Sequence, residues 1–330
     1  MRKKILFFTL ILLLLCGCMG TSFEEEPVSE ENRLIIYTSH KEEIYKPIIR
    51  EFEERSGIFV DVAEGGTNQL LNRIAEESGG EGADIMFGGG ADSLIAYEDC
   101  FEPYVTAQSA RLDPTYASPS DSYTVFSKLP VVFVYNTKRV LKEEAPKSWA
   151  ELLKDEWKGE IAFTDPEKSG SAYTALSILV QVTDKENCGN AIKRFSELLD
   201  GTLSEGSNTI VEDVARGDKM VGIVLEESAL KKMASGAELE MVYPSDRTCA
   251  VPDGCAMIRG ARHRENAEKF MEFIVGDDVQ RLLGEQLFRH SVRTDFESSN
   301  VPHEALYDIE FSNTKREELL RLWDACMGGR

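Results

Sequence analysis

The sequence is short of positive charge. It carries 37 Lys+Arg against 58 Asp+Glu, a formal net charge of −21. Phosphate-backbone binding needs a basic stripe, and the sequence has none, so a nucleic-acid partner is not expected. Histidine is scarce as well: His40, His263, His290 and His303 are all there are. There is no Gly-x-Ser-x-Gly elbow, no His-Glu-x-x-His pair and no complete phosphate loop with its lysine. With no convergent nucleophile, base and oxyanion site in view, neither an enzyme nor a cofactor is expected. The seven cysteines match no zinc spacing. No apolar run is long enough to span a bilayer comfortably; Ile5 to Leu15 comes nearest.

What is present begins with that run. Arg2, Lys3 and Lys4 precede it, and Leu15-Cys16-Gly17-Cys18 follows, the layout of a secretory signal. The last four residues resemble a bacterial lipobox. Gly17 is the small residue before Cys18, so Cys18 is the expected lipidation site and residues 1–17 the expected signal peptide. Residues 18–32 are polar and acidic, with Pro27 and no apolar periodicity, and read as a flexible tether. The location implied is extracytoplasmic, with the membrane touched through the lipid alone. The remaining chain of about 310 residues is long enough for two lobes.

The mature chain alternates strand and helix signals. Leu34-Ile35-Ile36-Tyr37, Ile58 to Val62 and Asp84 to Phe87 read as strands. Between them, Lys41 to Arg55 places Ile44, Ile48, Ile49 and Phe52 on one helical face and stops at Ser56-Gly57. Asn68 to Glu77 and Ala91 to Asp99 read as further helices. A second series follows the apolar run Leu129 to Tyr135. Glu160 to Phe163, Lys219 to Val224, Leu239 to Tyr243 and Cys255 to Ile258 are its strands; helices are expected over 171–182, 188–199, 264–275, 277–288 and 314–326. The pattern predicts an α/β protein of two lobes with mixed, mostly parallel sheets and chain crossings near 130–136 and 255–260. Residues 33–130 and 259–312 form the first lobe, 131–258 the second, and 313–330 a C-terminal helix. Ala250-Val251-Pro252-Asp253-Gly254 reads as a turn. A Cys249–Cys255 disulfide across it and a pair of buried free thiols both fit. Trp149 and Trp157 read as packing around a connecting helix, and Trp323 as core.

The candidate site comes from where small polar residues fall. Ligands of open α/β sheets bind beyond the carboxyl ends of strands, where helices present free N–H groups and the positive end of their dipole. Thr38-Ser39-His40, Gly65-Gly66-Thr67-Asn68 and Gly88-Gly89-Gly90-Ala91-Asp92 each follow a strand of the first series. In the second series the same place is taken by Asp165 to Tyr173, Gly206-Ser207-Asn208-Thr209 and Glu226-Glu227. One such motif is usually a turn or an N-cap. Several, divided between two lobes, suit an anion held by hydroxyls and backbone amides.

Nearly the whole mature chain resembles the bacterial extracellular solute-binding proteins of the group that includes ferric-iron, 2-aminoethylphosphonate, phosphoglycerate and sugar-phosphate binders. The residues that carry the resemblance are Ile36 to His40, Ala83 to Ala91, Asp165 to Thr174, Gly254 to Ala261, and Asn266 to Phe270. It implies a type II periplasmic-binding-protein fold with a two-crossing hinge, and a monomer that closes on its ligand and docks on ABC permease subunits. The expected ligand contacts are Ser39, His40, Thr67, Gly89, Gly90, Ser169, Ser171, Ala172, Tyr173, Asn208, Glu226 and Glu227. Iron binders of this group have a glutamate near Gly88–Gly90 and a tyrosine pair near Glu226-Glu227. Here glycines and acids stand instead, so His40 with Glu226 or Glu227 is an incomplete set for Fe(III). The expected cargo is a small anionic organic molecule: a sugar phosphate, a phosphonate or a phosphoglycerate-like compound. Ferric-iron transport and ligand presentation to a two-component sensor are the alternatives.

Overall fold

The computed structural model describes residues 29–77 and 82–328. The expected signal peptide, Cys18 and most of the tether lie outside these residues. Asn32–Arg330 forms a compact unit built of strands and helices in alternation. Strands β1 (Arg33–Thr38), β2 (Phe59–Glu64) and β3 (Ile85–Gly90) pair in parallel in the order β2-β1-β3. The helix Glu42–Ser56 between β1 and β2 buries Ile44, Ile48, Ile49 and Phe52, as its periodicity requires. It ends where Gly57 takes a left-handed φ of 69° and returns its N–H to Glu53.

Two long strands, β4 (Thr124–Asn136) and β8 (Thr248–Met257), carry the chain between the lobes. Every residue of both is buried. They pair antiparallel from Thr124↔Cys255 to Pro130↔Ala250. In the first lobe β8 continues against β3. In the second, β4 continues from Val131 against β6 (Val221–Leu225) and from Phe133 against β7 (Leu239–Val242), with β5 (Ile161–Ala162) parallel to β6. The lobes therefore share one mixed sheet, and the hinge is a pair of neighbouring strands. Pro130 and Pro252 fall in that stretch, where neither can donate to the ladder.

Each lobe has core on both faces of its sheet, as strands buried on both faces require. Phe87, Phe126, Phe52 and Phe270 pack on one side of the first lobe; Leu71, Met86, Leu94 and Phe101 pack on the other. In the second lobe β4 sends Val131, Phe133 and Tyr135 one way and Val132 and Val134 the other. Trp149 stacks edge-on against Phe133, and Trp323 of the last helix, Arg316–Met327, lies against Phe163 and Phe195.

Two features depart from the sequence expectation. Residues 250–254 are strand, not turn, and the second handover lies there rather than at 255–260. Asp253 and Gly254 look like turn residues, but the structure uses them otherwise. The Asp253 carboxylate is bonded to Arg289 and Ser127 inside the protein. Gly254 lacks the Cβ that would collide with Leu94 Cδ1. The other departure is in the segment before the C-terminal helix: Tyr307 already packs in the core of the second lobe. The last helix packs on Cys188–Leu199 of that lobe.

The strand also decides the cysteines. Cys249 and Cys255 sit six residues apart on β8, a rise of about 20 Å, whereas a disulfide needs Cα atoms within about 7 Å. Both are free and buried. Alkylation of the denatured, unreduced protein should label both thiols. Recovery of a Cys249–Cys255 linked peptide by mass spectrometry would contradict the strand.

Candidate functional site

The carboxyl ends of the strands open onto a cleft of about 550 Å³ with walls from both lobes. Ser39 and His40 reach it because Thr38 ends β1 with its hydroxyl donated to Phe87 O at 2.8 Å and accepting from His40 N at 3.1 Å. The His40 ring is wedged edge-on against Phe87 and Phe126, with centroids 4.8 and 5.8 Å away. Its Nε2 is buried without a hydrogen-bond partner, 3.5 Å from Asp253 Oδ2. Burial, with the Arg289 guanidinium adding to it, holds the imidazole well below the ordinary value of 6.5, against a smaller opposing pull from Glu227.

Gly88 and Gly89 are required at the end of β3. Both take positive φ, 103° and 107°. A Cβ on Gly88 would stand 2.8 Å from His40 Nε2, and one on Gly89 would stand 3.0 Å from Thr67 Cγ2. Only glycine combines that backbone with that approach.

The facing wall is a cluster of hydroxyls at two helix N-termini. Ser169 caps the helix Gly170–Thr183 by accepting from Ala172 N at 3.2 Å. Its Oγ lies 3.1 Å from Ser171 Oγ and 3.2 Å from Ser207 Oγ, which opens the helix Ser207–Arg216. Free N–H groups and two helix dipoles converge there, the ordinary setting for a bound anion. Lys41 and Lys168 stand on the same cleft. Lys41 Nζ donates to Asn208 Oδ1 at 2.6 Å, from one lobe to the other.

The remaining charge lies on the cleft floor. Arg289 donates from Nε to Glu227 Oε2 at 2.8 Å and from Nη1 to Asp253. Burial pushes the Asp253 carboxyl up to about 6 even though Arg289 pulls it down. Glu227 Oε1 also accepts from Lys231 at 2.6 Å, and Lys231 reaches Glu43 of the first lobe at 2.8 Å.

Of the twelve residues expected from the sequence, the structure gathers ten on the cleft: Ser39, His40, Thr67, Gly89, Gly90, Ser169, Ser171, Ala172, Asn208 and Glu227. Tyr173 and Glu226 are placed elsewhere. Tyr173 is fully buried in the second-lobe core and donates to Ser312 O, because its helix position turns inward, not toward the opening. Glu226 points away from the cleft to Tyr243 and His290. Lys41, Lys168, Asp253 and Arg289 also line it, with the further acids Asp92 and Glu205, so hydroxyls and amides are joined by charges of both signs. No sequence signal marks Arg289; it arrives from a loop remote in sequence from the cleft motifs.

The linkage of His40 is directly measurable. A histidine whose folded pKa is depressed contributes no penalty above the unfolded value and costs stability below it. The unfolding free energy of the wild type, relative to His40→Gln, should therefore fall as pH drops from about 7 to about 5. Imidazole NMR should show His40 neutral at about pH 6. An ordinary titration of this ring near 6.5 would overturn the assignment.

Residues 80–319 match the family described as Bacterial extracellular solute-binding protein. The chain is 23% identical over 280 residues to the Fe(3+)-binding periplasmic protein of Serratia marcescens, covering 82% of this chain and 81% of that protein. It is 22% identical over 271 residues to a putative 2-aminoethylphosphonate-binding periplasmic protein of Salmonella typhimurium, covering 77% and 75%. In fold it is similar to the periplasmic binding protein AfuA from Actinobacillus pleuropneumoniae, solved with exogenous fructose-6-phosphate bound. The TM-score is 0.79 at 24% identity, over 90% of this chain and 99% of that one. The architecture is thus the type II periplasmic-binding fold, and the family is non-enzymatic. By the match over 80–319 and the two-lobed cleft together, the chain belongs to the bacterial extracellular solute-binding proteins.

Proposed function

We infer that this protein captures a small anionic organic solute, a sugar phosphate, phosphonate or phosphoglycerate-like compound, and delivers it to the permease of an ABC importer. The observation that carries the reading is the cluster of Ser169, Ser171 and Ser207 at two helix N-termini, with Lys41 and Lys168 on the same cleft. These groups offer many donors and positive potential without a fixed coordination shell, which suits the tetrahedral oxygens of a phosphoryl or phosphonyl head. His40 Nε2 and Thr67 stand on the opposite wall, where lobe closure brings them to the same ligand. Glu227 and Asp253 face the ligand body, where hydroxyls or an amine find acceptors.

Ferric iron as cargo fits less well. Fe(III) favours phenolate with carboxylate and imidazole. Among the described residues no tyrosine lines the cleft, and no group of three or more His, Cys, Asp or Glu is arranged to hold a metal. Of the acids that the sequence offers beside His40, Glu226 is off the cleft and Glu227 is on it, salt-bridged to Arg289 and Lys231. In this reading Cys18 carries the lipid that tethers the protein to the outer face of the membrane, and capture proceeds by lobe closure around the solute.

Fructose-6-phosphate, 2-aminoethylphosphonate, 3-phosphoglycerate and ferric citrate, tested separately by thermal shift, separate the cargoes. One of the phosphorylated or phosphonate compounds should raise the melting temperature, and ferric citrate should not. Ser171→Ala together with Ser207→Ala spares the Ser169 cap. It should weaken binding of the active compound roughly 10- to 100-fold, the scale of one or two hydrogen bonds to a charged group. A stabilising effect of ferric citrate alone would sink the reading.

A further inference from the structure

Two pairs of consecutive residues meet across the lobes beside the hinge. Glu226 and Glu227 open the helix Glu226–Ala234 on the second lobe, immediately after β6. Arg289 and His290 enter β9 (His290–Ser291) on the first lobe. Both pairs are brought together by β4, since His290 registers with Lys128 and Leu225 registers with Val131 on either side of Pro130. Arg289 Nε donates to Glu227 Oε2 at 2.8 Å, and His290 Nε2 lies 2.6 Å from Glu226 Oε2. Glu226 is 3% exposed, so this contact is made away from water, where a charged hydrogen bond is strongest.

The two acids are not equivalent. Glu227 lines the cleft, whereas Glu226 does not and is held from its own lobe by Tyr243. Glu226 thus spends its charge on the opposite lobe and none on the ligand. The two sides of the Glu226–His290 contact belong to different lobes, so a change in the angle between the lobes acts on it.

We propose that Glu226 and His290 form a clasp across the hinge that sets the balance between closed and open lobes, and so governs how long a captured solute is held. The pair acts by positioning the lobes, not by touching solute. The inference rests on capture between the lobes but not on which solute is captured, and it can be tested with no solute added.

The test is a double-mutant cycle of Glu226→Ala, His290→Ala and both together in the full chain. It reads the distance distribution between spin labels on exposed Glu54 of the first lobe and Glu197 of the second. Each single substitution should raise the open-to-closed ratio by about tenfold, and the double substitution should add little to either single. Tyr243→Phe, which loses only the bond within the lobe, should leave the distribution unchanged. The clasp is overturned if Glu226→Ala matches the wild type, if the two singles simply multiply, or if Tyr243→Phe opens the lobes equally. Where the alanine variants do not melt cooperatively, the same cycle with Glu226→Gln and His290→Gln decides between these outcomes with smaller shifts. If no phosphorylated or phosphonate compound binds, the distance measurement still stands.

Discussion

The pairing of β4 with β8 is the constraint on which the rest of the molecule depends. Both strands are buried along their whole length and hydrogen-bonded to each other across the lobe boundary. Each lobe inherits one end of each strand as part of its own sheet. Neither lobe can therefore be cut away without exposing half of a fully buried strand. A change in the angle between the lobes bends or twists these two adjacent strands and the segment that leads the chain back to Tyr307 in the second lobe. The cleft lies beyond the strand ends of both sheets, so that angle also governs how its two walls approach.

For the anionic solute proposed above, an acidic protein has to solve a local problem of sign. With a net charge of −21 the average field repels the solute. In the proposed reading the cleft answers with helix N-termini on one wall and a lysine on each, Lys168 and Lys41, groups whose influence is short-ranged and little opposed by distant charge screened in salt. The buried arginine is not spare in this scheme. Arg289 is held between Glu227 and Asp253, so the group as a whole is not cationic. Its role is to let two carboxylates stay buried on the cleft floor, where isolated they would be costly. Burial still pushes the Asp253 carboxyl up, against the pull of Arg289.

Much of this was legible in the sequence, and what was not has identifiable causes. Helix faces such as Ile44, Ile48, Ile49 and Phe52 follow from periodicity because local repetition alone sets them. The glycine run at 88–90 and Ser169-Gly170-Ser171 point to the cleft because strand ends and N-caps are local too. Residues 250–254 misread as a turn because Pro252, Asp253 and Gly254 are turn formers by composition. Their true environment is set by Arg289, Lys128 and Leu94, all remote in sequence. Tyr173 and Glu226 fail for the same reason. A helix N-terminus fixes which residues are near a cleft, but the turn of about 100° per residue decides which of them look into it.

That angular step gives Glu226 and Glu227 their separate tasks. Adjacent residues on a helix point in different directions, so one acid faces the cleft while its neighbour faces the crossing strand. Arg289 and His290 sit at the entry to a strand, where successive side chains also diverge. Two short doublets thereby deliver four side chains to two places. Arg289 and Glu227 pair on the cleft floor, and His290 and Glu226 meet between the lobes. Because the backbone of each doublet is continuous, the cleft-lining Glu227 and Arg289 stand one peptide bond from the proposed clasp residues Glu226 and His290.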